Sequence, residues 1–464
     1  MRRSLITVAA ITVPMLASAM LSATANAAQR TSSPSNAVVN SVSCASGGNC
    51  AAGGQHFDES GGHAFVLTEK NGHWGDANAV PGLAALNSKN ASISSVSCAA
   101  GGCAAGGYYQ DAASHFHAFV TNEKNGRWSR LVRIFSAGKT PSALPKVRSL
   151  SCSGPENCVA AGGGPAFVVS EVNGHWGRAR QFGAKGRNGQ AMVSCTSAGN
   201  CSASWNTYVV SERNGHWGKP MALPGLSALG TQASITSLSC TSATNCAVGG
   251  SYRSRHGIEV FVASKRDGRW AKAGEIPGFT ALNKAGYGEL ASVSCSSAGN
   301  CIAGGSYSQP ADFAGGVYEP FVASERNGRW GKAIEVPGIP PAGSTLCEPD
   351  SSSCVAGQVF TAACAPGGTC AAGGWYDTTA ISGTVAFVVS YKNGRWTKVT
   401  QIPGLKVLDT AKNSRVNSVS CTPTGKCVAG GRYSSNSTQV GLPAFVVDGM
   451  NGTWGQAQTV RVPS

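Results

Sequence analysis

Two short signatures alternate eight times along this chain, and a chain built that way has to fold as eight copies of one unit. The first is Ser-Val-Ser-Cys, a short gap, then Cys-Ala-Ala-Gly-Gly. The second is Ala-Phe-Val-Val-Ser-Glu-x-Asn-Gly-x-Trp-Gly. Both stand almost unbroken between Ser292 and Gly331. The leading cysteines are Cys44, Cys98, Cys152, Cys195, Cys240, Cys295, Cys364 and Cys421. The tryptophans Trp74, Trp128, Trp176, Trp217, Trp270, Trp330, Trp396 and Trp454 keep step with them. Spacing between leading cysteines runs from 43 residues (Cys152 to Cys195) to 69 (Cys295 to Cys364). Periods of this length suit propeller blades better than short solenoid coils.

Each copy holds four strand-like segments. Val/Leu-Ser-Cys, preceded by alternating Ser and apolar residues, is the first, and Cys-x-Ala-Gly-Gly-x-Tyr the second. Ala-Phe-Val-Val-Ser, rich in aromatic and β-branched residues, is the third. The fourth begins at the Trp and stops at Pro-Gly, because proline has no N–H for pairing. Asn-Gly between the third and fourth is a strong hairpin signal, since both residues tolerate positive φ. Four antiparallel strands repeated eight times predict an all-β fold, a β-propeller of eight four-stranded blades, with seven blades as the alternative. The small-residue first strand belongs innermost, the Trp between blades. The ring then closes by packing the last blade on the first, or by a strand borrowed from residues 35–40. Residues 41–464 form a single propeller with an insertion at 339–363.

Eighteen cysteines are present. Sixteen fall into hairpin pairs: Cys44 and Cys50, Cys98 and Cys103, Cys152 and Cys158, Cys195 and Cys201, Cys240 and Cys246, Cys295 and Cys301, Cys364 and Cys370, Cys421 and Cys427. The remaining two, Cys347 and Cys354, lie in the insertion, and pairing among Cys347, Cys354, Cys364 and Cys370 stays open. Neither Cys-x2-Cys spacing nor histidines in register accompany them, so the expectation is disulfides and no metal. Bridges of this density belong to an exported chain. The N-terminus agrees. Arg2 and Arg3 precede an apolar run at 5–21, and Ala25-Asn26-Ala27 offers a cleavage site, so residues 1–27 read as a signal peptide and 28–40 as a disordered lead-in. No later stretch is long and apolar enough to span a membrane.

Charge and loop chemistry bound the function. Lys and Arg total 37 against 22 Asp and Glu, a balance that favours anionic partners. Many of these cations, Lys70, Lys124, Arg213, Arg266, Arg326 and Lys392 among them, sit at the Asn-Gly turns, on the same end of the ring as the cysteine loops. The opposite end carries the variable second-to-third loops, where binding residues concentrate on a rigid repeat. There Tyr108, His115, His117, His256 and Trp375 depart from the repeat and are the candidate binding residues. Tyr109, Tyr252, Tyr307, Tyr376 and Tyr433 recur and read as packing. No Gly-x-Ser-x-Gly, His-Glu-x-x-His or phosphate loop occurs, so no catalytic residue and no cofactor are assigned. Loop carboxylates Asp58, Glu59, Asp111, Asp312, Glu319 and Asp377 leave open a glycosidase-type pair. The recurring Glu69, Glu123, Glu171, Glu212 and Glu325 read as structural.

Ser324-Glu325-Arg326-Asn327-Gly328-Arg329-Trp330 resembles the Asp-box hairpin of sialidase-like and photosystem-assembly-factor-like propellers, which joins third and fourth strands. Arg326 stands where that box has Asp, and the Gly-to-Trp gap is one residue shorter, so the likeness is to a turn. The whole unit, over 41–464, resembles secreted repeat proteins of actinobacteria. The expectation is a secreted, non-enzymatic binding propeller for a glycan or anionic surface polymer, with nucleic acid disfavoured. The competing expectations are an extracellular carbohydrate-active enzyme (hydrolase or lyase) and a structural envelope component.

Overall fold

The computed structural model describes residues 36–45, 48–136, 144–182, 189–310, 317–339, 357–377, 383–435 and 442–463. The 1–27 segment, the Cys347 and Cys354 pair and Asp312 lie outside them. Eight antiparallel sheets are formed, each pairing its strands in the order first, second, third, fourth. The first strands are Asn36–Cys44, Ala91–Ala99, Lys146–Gly154, Ala191–Ser197, Thr231–Ser242, Glu289–Ser297, Gly357–Cys364 and Arg415–Cys421. Each packs beside the first strands of both neighbouring blades, and the eighth meets the first, so these strands ring the centre of an eight-bladed propeller. The seven-blade alternative falls away.

Three expectations are corrected. The first strand of blade 1 starts at Asn36, with Ala37 and Val39 buried. The last residues of the supposed lead-in are therefore the ring's own inner strand, and repeat and blade are in phase with no borrowed strand. Residues 357–363, assigned to the insertion, begin the first strand of blade 7. The fourth strand is also broken in two. In blade 1, His73–Trp74 and Asn78–Ala79 both pair with Gly61–Lys70. The chain bends between them at Gly75, whose N–H donates to Thr68 O at 3.0 Å.

Register explains why the two signatures recur together. In blade 6 Cys295 lies opposite Cys301, Cys301 opposite Glu325, and Glu325 opposite Trp330. Directly opposed residues project from the same side of a sheet, so the repeat residues form one rung across the blade. The eight hairpin cysteine pairs are all bridged, with Cα atoms 3.9–4.1 Å apart.

The serines of Ser-x-Ser-Cys join one blade to the next. Ser41 Oγ accepts the Val96 N–H at 2.9 Å, and Ser43 Oγ the Cys98 N–H at 2.9 Å. Ser95 and Ser97 do the same for Leu150 and Cys152. At the closure Ser418 and Ser420 accept from Val42 and Cys44 at 3.1 and 3.0 Å. An inner strand has no strand partner on that edge, and buried N–H groups need an acceptor; the hydroxyls supply it.

Gly-Gly has two separate reasons. A Cβ on Gly249 would meet Leu290 and Val293 side chains of the next blade at 2.7 Å, while one on Gly250 would lie 1.9 Å from the Ser234 carbonyl oxygen. The second close approach comes from a bulge in the first strand, between Ile235 and Ser237. In blade 4 Ser204 stands at the Gly249 position and Trp205 at the Gly250 position; Ser204 pairs with Met192 and Trp205 with Ala191, without a bulge there.

The core is divided among the blade interfaces. Each of the eight buried clusters draws on two adjacent blades, with a half-buried or buried Trp against it. The Phe of Ala-Phe-Val is fully buried at Phe65, Phe119, Phe167, Phe261, Phe321, Phe387 and Phe445, as are Tyr109, Tyr252 and Tyr307. Blade 4 has the exposed Tyr208 at that place. Trp205, stacked on Phe182 at 4.6 Å, fills the gap.

Candidate functional site

The Asn-Gly end uses its charges on itself. Lys70 donates to Asn125 O at 3.5 Å, Arg266 to Gly328 O and Lys392 to Asn451 O, each capping the turn of the next blade. Lys124 pairs with Glu156 of blade 3 at 2.8 Å. The glutamates beneath accept from the preceding blade: Glu171 from Asn122, Glu212 from Ser170 Oγ at 3.3 Å, Glu325 from Ser264 Oγ at 2.8 Å. Glu69 pairs with Lys426 across the closure. In blade 5 Lys265 takes the place of the glutamate, and Ser211 accepts from it at 2.9 Å.

Burial raises the Glu171 and Glu212 carboxyls above the ordinary 4.5, and one oxygen of each has no partner. A raised folded pKa means the folded state holds its proton longer than the unfolded chain. Stability fully present below about pH 4.5 is therefore lost as pH rises through the folded value. Glu171→Gln and Glu212→Gln are expected to flatten that loss and to leave stability at pH 7 equal to wild type or higher. Denaturant midpoints measured from pH 4 to pH 7 check this, and a variant that loses stability as steeply as wild type contradicts it.

The variable-loop end is different, because two blades are cut short. Strands two and three of blade 1 run out to Asp58 and Gly61, and those of blade 5 to Ser254 and Gly257. In blade 3 the second strand stops at Gly163, and in blade 4 strands two and three turn at Asn206-Thr207. The rim is notched there. A cavity of about 650 Å³ opens against the inner strands, lined by Lys146 and Arg148 of blade 3, Gln190, Met192 and Asn206 of blade 4, and Ser234 and Thr236 of blade 5. Among the described residues no Asp or Glu lines it.

Arg148 is the extra residue of the blade 3 bulge, between Val147 and Ser149. The same bulge position in other blades shows what such a side chain does: Asn40 donates to Ile93 O at 2.9 Å and Asn417 to Val39 O at 2.9 Å, each on the following blade. Arg148 faces the short blade 4 instead, and its buried Nε has no partner. Lys146 stands 5.9 Å from the ring centre of Tyr108 in blade 2. Burial lowers both cations below their ordinary values, and the charge of Arg148 lowers Lys146 further. Burial pushes the Tyr108 phenol up. Neither cation forms a salt bridge among the described residues. Two half-buried positive charges beside a phenol, with no carboxylate, make an anion site that also offers an aromatic surface.

Of the five residues expected to bind, none is among those lining this cavity, and Tyr108 adjoins it through Lys146. His117 is buried, packed at a tilt against Tyr109 with ring centres 4.9 Å apart, and lies 2.7 Å from Asp111 Oδ2. Together with His115, 3.7 Å from the same oxygen, it orders the blade 2 loop. His256 is exposed and takes the Arg255 Nε–H at 2.9 Å. Trp375 is half-buried in blade 7, opposite Gln358 and Ala386. Lys146 and Arg148 escape a reading that looks for charge in loops. The available signal was Lys146-Val-Arg148 ahead of Ser-Leu-Ser-Cys, where the blade 6 copy has Glu289-Leu290-Ala291 and the blade 2 copy Ser92-Ile93-Ser94.

The blade 1 loop groups Asp58, Ser60 and His63. Ser60 Oγ donates to Asp58 Oδ1 at 2.7 Å, and both lie within 3.0 Å of the same ring nitrogen, His63 Nε2. A nucleophile relay needs serine and carboxylate on opposite imidazole nitrogens, so this trio fastens the turn. The Ser60 hydroxyl, with its backbone N–H and His63, holds the Asp58 carboxyl down at about 2. Among the other loop carboxylates, Glu319 is buried against the Tyr307 hydroxyl, and burial raises Asp377 to about 6.

No protein-family model and no curated protein matches the chain. Solved structures align with most of the chain at low identity and with TM-scores below 0.5. A polysaccharide lyase of family PL25, an ulvan lyase bound to -[GlcA(1-4)Rha3S]-, is 11% identical with a TM-score of 0.48, over 93% of this chain and 99% of that one. The β-propeller domain of the Trilobed protease from Pyrococcus furiosus is 9% identical with a TM-score of 0.42, over 91% and 97%. YCF48 bound to D1 peptide is 11% identical with a TM-score of 0.38, over 92% and 94%.

Proposed function

We propose that this protein is an exported binding propeller that holds an acidic glycan or another anionic surface polymer at the notch in its variable-loop end. The observation that carries the reading is the pair Lys146 and Arg148, half-buried, unneutralised and flanked by Tyr108 where two short blades open the rim. A carboxylate or sulfate there restores the interactions that burial removed, and the phenol ring offers a face for a sugar. Eight disulfides suit an oxidising compartment, and export through the 1–27 segment completes the reading. No helix among the described residues is long and apolar enough to cross a membrane.

The test compares an acidic polysaccharide with a neutral one of similar backbone by titration at two salt concentrations. Charge-assisted contacts contribute about 1.5–3 kcal/mol each. Lys146→Ala with Arg148→Ala is therefore expected to weaken binding of the acidic polymer by tenfold or more and to reduce its salt dependence. Equal binding of neutral and acidic polymers, or an unchanged affinity in the double variant, overturns the proposal. New reducing ends or unsaturated sugars in the incubated polymer overturn it in favour of an enzyme.

A further inference from the structure

A second pair of cations lies on the same end of the ring, in blade 8. Arg415 occupies the inner strand of blade 8 as Lys146 does that of blade 3, since Arg415 precedes Cys421 as Lys146 precedes Cys152. Its direct cross-strand partner is Arg432. Like charges placed opposite each other destabilise a sheet unless something neutralises them. Nothing among the described residues does: neither arginine forms a salt bridge, and the Nε of each is buried without a partner. The Arg415 guanidinium is braced 5.7 Å from the ring centre of Phe360, the bulge residue of the blade 7 inner strand.

From this arrangement we infer that Arg415 and Arg432 form a second anion subsite, one that takes a tetrahedral oxyanion, a phosphate or sulfate group on the bound polymer. Two guanidinium forks present several N–H donors, and a tetrahedral group can accept from both at once. Burial holds both arginines below their ordinary values, Arg415 at about 10 with Arg432 adding to the effect, so the pair gains from an incoming anion. The inference rests on the reading of this end as the binding surface, but it uses different residues.

The experiment is calorimetric titration of the full chain with inorganic phosphate and, separately, with sulfate, at constant ionic strength. It is done in the Lys146→Ala, Arg148→Ala background so that the notch does not contribute. Saturable binding is expected there, and its loss by tenfold or more on adding Arg415→Gln and Arg432→Gln. The tighter of the two anions identifies whether the natural group is a phosphate or a sulfate. Arg432→Lys keeps the charge and removes the fork; it is expected to fold, by circular dichroism, and to bind several-fold more weakly. No binding in the starting background, or wild-type affinity in either arginine variant, overturns the subsite. The notch is judged separately, by the polysaccharide titration.

Discussion

Reducing the eight described disulfides is expected to unfold the ring cooperatively. Each bridge closes a loop with a sequence separation of 5 or 6, and closing so short a loop contributes about 2 kcal/mol on the chain-entropy account. One pair removed, as in Cys240→Ser with Cys246→Ser, should therefore cost about 2 kcal/mol. Eight together approach about 16 kcal/mol, against a typical total stability of about 5–15. Position adds to number. Each bridge sits at the end of an inner strand, where a serine of one blade holds a cysteine N–H of the next: Ser43 to Cys98, Ser97 to Cys152, Ser239 to Cys295. Loosening one hairpin therefore releases its neighbour. Thermal unfolding of oxidised protein and of reduced, alkylated protein decides the matter. A reduced form that still melts in one sharp transition within a few degrees of the oxidised form would show that the seams alone hold the ring.

Adjacent glycines should respond very differently to one added methyl group. Gly250→Ala drives a Cβ to 1.9 Å from the Ser234 carbonyl oxygen, a backbone atom fixed by the bulge, and is expected to cost roughly 3 kcal/mol or more. Gly249→Ala meets the ends of Leu290 and Val293, which can shift, and is expected to cost about 1–2 kcal/mol. Denaturant unfolding of the two variants checks the order, and the reverse order would mean that the bulge yields more easily than the interface. Blade 4 is the natural control: it carries Ser204 at the Gly249 position and Trp205 at the Gly250 position, and its first strand has no bulge between Ala191 and Val193.

The eightfold count, the order of strands, the hairpin bridges and the tight Asn-Gly turns were all legible from residue identity and spacing. The reason is that each depends on neighbours within one copy. Asn327, Asn393 and the other turn asparagines adopt positive φ as the Asn-Gly pair demands. The breaks in the pattern were visible but not interpretable. Ser202-Ala203-Ser204 in copy four and Gly163-Gly164 in copy three gain a meaning only in the ring, where two short blades lie side by side and open the rim.

Residue order alone determined that this chain repeats, that its repeats are sheets, and that each sheet is clipped by its own sulfur bridge, because strand period, turn chemistry and cysteine spacing act over a few residues. Closure of the ring decided everything that depends on one blade meeting another. It set serine hydroxyls under the next blade's N–H groups, spent the turn cations on adjacent carbonyls, and left Lys146, Arg148 and Arg415 on the inner strands, and Arg432 on the second strand of blade 8, without a salt bridge among the described residues. Whether a charge is neutralised depends on what lies across the seam, tens of residues away, and only the folded ring brings those partners together.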